Sequence, residues 1–93
     1  VVFKIHLSKR AYKELEKLPI SDRKRILERI GELSTTPFPY GYRKLRGAKD
    51  AYRLRAGDYR ILYKIIRRDK VILVFRIAHR RKAYLNKMKV NSG

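Results

Sequence analysis

Residues 51–78 read AYRLRAGDYRILYKIIRRDKVILVFRIA, and the fold follows from their spacing. Ala51 to Arg55, Tyr59 to Ile66 and Val71 to Ala78 are runs rich in β-branched, aromatic and aliphatic residues, parted by Gly57-Asp58 and by Arg67-Arg68-Asp69-Lys70. Connections this short join neighbouring antiparallel strands. The spacing therefore predicts a three-stranded meander.

Working outward, Ser34 to Asp50 collects Pro37, Pro39, Gly41 and Gly47 without a clean period and reads as a long loop. Before it, Ser21 offers a helix cap, Asp22 puts negative charge in the first turn, and Ile26, Leu27, Ile30 and Leu33 form an apolar stripe. Gly31 inside this helix costs about 1 kcal/mol against alanine and marks a candidate close approach of helices. Ser8 caps an earlier helix in which Ala11, Leu15 and Leu18 share one face, ended by Pro19. Val1 to Leu7 alternates, with Val1, Phe3, Ile5 and Leu7 on one side and Lys4 and His6 on the other, as a half-buried strand does. The expected architecture is α+β: one compact domain over residues 1–90, ordered β-α-α-β-β-β, with an α-helical hairpin on one face of an antiparallel meander sheet. His79 to Met88 is a candidate short helical or irregular end, and residues 91–93 a flexible C-terminal end.

Composition narrows the function. Ninety-three residues with 44% hydrophobic content support one core and not a disordered basic tail. The balance of 26 Lys and Arg against 8 Asp and Glu leaves +18. Spread over roughly 5,600 Å² by area scaling, that is about one excess cation per 300 Å². Such a surface attracts polyanions: nucleic acid, an anionic surface or an acidic protein. Zero cysteines exclude disulfides, zinc fingers and thiol nucleophiles and fit a reducing cytoplasm. No run approaches the ~20 apolar residues of a membrane span, and no signal-peptide pattern is present. With His6 and His79 the only histidines, a transition-metal cage is not expected. No nucleophile elbow, triad spacing or phosphate-binding glycine loop is present.

Strand alternation sorts the cations. Tyr52 and Leu54 face one way and Arg53 and Arg55 the other, and Arg60 on the next strand joins them if the hairpin is in register. Arg76 points outward from an otherwise apolar strand. Arginines in a row on strands suit bidentate contact with phosphates or carboxylates, although a solvated face of a very basic protein has the same pattern. At the end of the last strand, His79-Arg80-Arg81-Lys82-Ala83-Tyr84 adds an imidazole, guanidiniums, an ammonium and a phenol. Metal-free RNA cleavage needs such groups: a base for the 2′-OH, an acid for the 5′-oxygen, cations facing the phosphorane and a ring to stack on. A basic run that holds an acidic partner is the plainer alternative. Tyr40, Tyr42, Tyr52, Tyr59 and Tyr63 suit core edges with wet hydroxyls better than base stacking.

Lys44-Leu45-Arg46-Gly47, Ala51-Tyr52-Arg53-Leu54-Arg55, Gly57-Asp58-Tyr59-Arg60-Ile61-Leu62-Tyr63 and His79-Arg80-Arg81-Lys82-Ala83-Tyr84, in this order, resemble the RelE toxins of the RelE/ParE superfamily. Lys13-Glu14-Leu15-Glu16-Lys17-Leu18-Pro19 is similar to their first helix, and the resemblance runs from Val1 to Leu85. It implies a toxin of a type II toxin–antitoxin system, an mRNA interferase that enters the ribosomal A site and cuts translated mRNA without a cofactor. It also implies a RelB-type antitoxin that wraps the toxin and represses their shared operon. By the resemblance, Arg53, Arg55, Arg60, Arg80 and Tyr84 occupy the family's catalytic positions. Lysines stand at the first two of these in the best-studied pattern, one of them thought to be the base, and an arginine gives up its proton far less readily. His79 is the substitute candidate here, since surrounding cations favour its neutral form. Lys44, Arg46, Arg81, Lys82, Lys87 and Lys89 are expected to grip ribosomal RNA. The rival readings are a ParE-like poison of DNA gyrase and a non-catalytic RNA- or ribosome-binding domain.

Overall fold

A computed structural model of the chain describes residues 2–80. In chain order the elements are β1 (Lys4–Leu7), α1 (Lys9–Glu16), α2 (Ile20–Thr35), β2 (Arg43–Lys44), β3 (Ala51–Ala56), β4 (Tyr59–Ile66) and β5 (Val71–His79). They make one five-stranded sheet in the order β1-β5-β4-β3-β2. The β3-β4-β5 meander is antiparallel, as its short loops require. Gly57 takes φ 61 at the first position of the two-residue β3–β4 loop, a sign that glycine adopts without steric cost. Both edges of the sheet depart from what the sequence suggested. β1 adds parallel to β5, and the two-residue β2, too short to show a period, arises inside the long loop and pairs antiparallel with β3.

One face of the sheet carries the core. Tyr52, Leu54, Ile61, Tyr63, Ile65, Ile72, Val74 and Ile77 pack there against Ala11 and Leu15 of α1 and Ile26, Ile30 and Leu33 of α2. A bulge opposite Leu62/Tyr63 lets both Val74 and Ile77, three residues apart, face this core. Leu27 lies off the α2 stripe and is exposed, because positions 26, 30 and 33 already complete the helical face. A Cβ on Gly31 would meet nothing within 4 Å, so this glycine marks no close packing.

The helix starts divide. Ser8 caps α1 as expected, its hydroxyl oxygen accepting from the Ala11 N–H at 3.1 Å and its O–H donating to the Phe75 carbonyl at 3.3 Å. Ser21 does not cap α2. Pro19 takes the cap position without a side-chain bond, and its fixed extended entry leaves Ser21 inside the first turn. α1 also solves an edge problem. β1 stops pairing at Val74, which would leave the rest of β5 as an open edge. α1 lies along that stretch, and Glu14 accepts the Ile77 N–H at 2.8 Å and the Arg76 Nε–H at 3.3 Å. Arg76 is therefore not a free outward cation: it is half-buried and ion-paired. No helix among the described residues is long and apolar enough to cross a membrane.

Candidate nucleic-acid interface

The second face of the sheet is cationic. Arg53 is the register partner of Arg43, and Arg55 of Arg60. Partners across neighbouring strands project to the same side. With Gly41, these four arginines line a cleft of ≈ 230 Å³. No carboxylate is among the lining residues. Burial and the nearby positive charge of Arg53, Arg55 and Arg80 lower the pKa of Arg60 from its ordinary value. This cluster is therefore costly for the protein alone and is relieved by an anion. Phosphate, with oxygens for several guanidiniums, is the matching chemistry.

Arg80 follows β5 and is held by its main chain: its N–H donates to the Asp58 carbonyl at 2.8 Å, tying the start of the C-terminal segment to the β3–β4 turn. Its charge reaches Arg60. The structure thus brings Arg53, Arg55, Arg60 and Arg80 together.

His79 does not join them. Its register partner is Tyr59, not Arg60, so alternation turns it to the opposite side of the sheet. There its ring meets Tyr59 edge-on at 5.1 Å between centroids. The Tyr59 hydroxyl donates to Asp22 of α2 at 3.2 Å, and burial, followed by that hydrogen bond and the charges of Asp22 and Asp58, raises the phenol's pKa. A base role for His79 on a phosphate in the arginine cleft is corrected by this geometry. Lys44 pairs with Tyr52 and projects away from the side that Arg43 shares with Arg53, while Arg46 is exposed in the turn after β2. Tyr84, Arg81, Lys82, Lys87, Lys89 and the proposed helical end lie outside the described residues.

Arg43 and Gly41 are the members that sequence reasoning missed. Their only signal was a basic residue in a glycine- and proline-rich loop, and nothing local says that the loop returns to β3. One side chain from α2 organises that return. The Arg29 Nε–H donates to the Arg55 carbonyl and Nη2 to the Tyr40 carbonyl, each at 3.1 Å, while Nη1 pairs with Glu32. Phe38, Tyr42, Tyr52 and Tyr63 form a chain of ring contacts that runs from exposed Phe38 and Tyr42 to buried Tyr52 and Tyr63. The Tyr63 hydroxyl is a buried pin, donating to the Pro37 carbonyl at 2.8 Å, and burial pushes its pKa far above the ordinary phenol range.

The sequence model of the ParE toxin family of type II toxin–antitoxin systems matches residues 5–84. The chain belongs to the RelE/ParE superfamily. Among relatives of this toxin, RelE1 from Methanocaldococcus jannaschii, named as a candidate toxin, is 34% identical over 87 residues, covering 90% of this chain and 97% of its own. The toxin in an archaeal RelE–RelB complex from Pyrococcus horikoshii superposes with a TM-score of 0.76 at 33% identity, over 86% of this chain and 97% of the other. A free E. coli RelE carrying two arginine-to-alanine substitutions has a TM-score of 0.76 at 26% identity, over 99% and 98% of the two chains. The fold is that of the RelE toxins.

Proposed function

We propose that this type II toxin is a ribosome-dependent endoribonuclease that cuts mRNA in the A site, acts in the cytoplasm, and is neutralised by a RelB-type antitoxin. The observation that carries the reading is the cleft of Arg43, Arg53, Arg55 and Arg60, with the positive charge of Arg80 acting on Arg60. In the reaction the 2′-oxygen bonds to the adjacent phosphorus and releases its proton. The bond from phosphorus to the 5′-oxygen then breaks, and that oxygen gains a proton. The products are a 5′-OH and a 2′,3′-cyclic phosphate, or the product of its opening by water. The negative charge gathered on the phosphorane is what fixed guanidiniums stabilise, and they do so most strongly where water is partly excluded, as around Arg60.

Arginines are poor proton acceptors, so the cleft contributes charge and position. In-line orientation of the 2′-oxygen is then the ribosome's contribution, and orientation alone can supply several kcal/mol. Free RNA is accordingly expected to be cut poorly. The RelB-type partner is supported by the RelE–RelB assemblies of related toxins and by the charge of +18, which an acidic, helix-rich chain would complement.

The test is translation in vitro followed by primer extension on the mRNA. Codon-phased cuts are expected with the native chain. Arg80→Ala, which keeps the backbone bond to Asp58, is expected to lose about 10²- to 10³-fold in cutting while retaining the fold. Equal cutting by Arg80→Ala removes that residue from the mechanism. Absence of cuts together with blocked gyrase supercoiling replaces the reading with the ParE-like one, and absence of both effects leaves a binding domain.

A further inference from the structure

Tyr40 stands apart from the other aromatic residues of its loop. Phe38 and Tyr42 turn toward Tyr52, whereas Tyr40 is 97% exposed. A single exposed ring is ordinary on a protein surface; its setting is not. The Tyr42 N–H donates to the Pro39 carbonyl at 3.1 Å, and Gly41 has φ 90. Pro39 to Tyr42 is therefore a β-turn of the kind that needs positive φ at its third residue, with Tyr40 at its second. Pro39 is buried, and Arg29 grips the Tyr40 carbonyl while holding the Arg55 carbonyl with the same guanidinium. The corner that presents Tyr40 is thus fixed relative to the strand that presents Arg55.

Gly41 lines the arginine cleft, and across a trans peptide its Cα is about 3.8 Å from that of Tyr40. An aromatic ring on a rigid corner at the rim of a cationic cleft matches single-stranded nucleic acid, in which every phosphate is followed by a base with a π-face. We propose that Tyr40 is a nucleobase-stacking site, taking a base that neighbours the phosphate bound by Arg43, Arg53, Arg55 and Arg60. The site rests on the reading of that cleft as an RNA phosphate site and extends it from charge to base recognition. Stacking of this kind is tolerant of sequence, and a turn already in place loses little further freedom on binding.

The chain has no tryptophan, so Tyr40→Trp installs a single indole reporter at the corner. The probe is an end-labelled 2′-O-methyl oligoribonucleotide, whose blocked 2′-oxygen prevents cutting, together with the same oligomer made without bases. Binding is followed by anisotropy of the label and stacking by indole emission. Emission is expected to fall with the base-bearing oligomer and to stay unchanged with the abasic one. Tyr40→Ala is expected to bind the base-bearing oligomer about five- to hundredfold more weakly with the salt slope unchanged, and Tyr40→Phe to bind it as the native chain does. Arg55→Ala, by contrast, should reduce the salt slope by about one. Saturable binding without any change in indole emission, with Tyr40→Ala as tight as native, overturns the stacking site and leaves the cleft reading intact; a ring covered by a protein partner would give that result. An Arg55→Ala variant with native affinity and native salt slope overturns the cleft reading and the stacking site with it.

Discussion

The two faces of this sheet are built from alternate residues of the same strands and solve opposite problems. On the helix side, the side chains of Leu54, Ile61, Tyr63, Ile72 and Val74 are fully buried and, apart from the Tyr63 hydroxyl, make only van der Waals contacts. On the other side, Arg55 and Arg60 stand directly opposite each other, an arrangement that like charges make unfavourable. The first face stabilises the fold. The second is tolerated because the first is sufficient, and it is strained electrostatically in the direction that an anion relieves.

Ile61→Ala should show the difference most strongly. It leaves a cavity in the centre of the apolar face and is expected to cost about 2–5 kcal/mol in denaturant unfolding, with RNA binding per folded molecule unchanged. Its neighbour Arg60→Gln should do the reverse: cutting falls by about 10²- to 10³-fold, while stability holds or rises by about 0.2–1 kcal/mol as the opposed charges are relieved. A loss of stability from Arg60→Gln would break the division of labour between the faces.

The edge between the faces comes next. Glu14→Ala removes the acceptor of the Ile77 N–H and the partner of Arg76, and should cost about 1–3 kcal/mol. It should also favour self-association through the uncovered β5 edge, visible by light scattering. Gly31→Ala acts in the opposite direction to Glu14→Ala. With open space around the position, thermal unfolding should show a gain of about 1 kcal/mol.

The apolar face has its own signature in alkali. Because burial raises the Tyr63 pKa, the folded state keeps a proton that the unfolded chain releases near pH 10, about the ordinary phenol value. Its contribution to stability is complete below that pH and is lost as pH rises toward the folded value. Tyr63→Phe should flatten the alkaline decline in denaturant midpoints, whereas an unchanged slope would place the titrating group elsewhere.

Much of the fold was legible because alternation is a local property. Arg53 and Arg55 face away from Tyr52 and Leu54 wherever that strand is placed, and the short Gly57-Asp58 loop puts Arg60 opposite Arg55. Other placements were not local. His79 and Arg80 are adjacent in sequence, but one residue along a strand is the other side of the sheet. Arg76 looked like a solvated cation until α1 brought Glu14 to it from 62 residues away.

The sequence by itself determined the meander, the helical stripes, the family and the sign of the charge, because each depends on spacing within a few residues or on composition. Tertiary structure alone decided that β1 runs parallel beside β5 and that Arg29 folds the loop of Tyr40 and Gly41 back to Arg55. It alone completed the four-arginine cleft with Arg43. These are contacts between segments far apart in the chain, and their energy exists only once the core has brought the segments together.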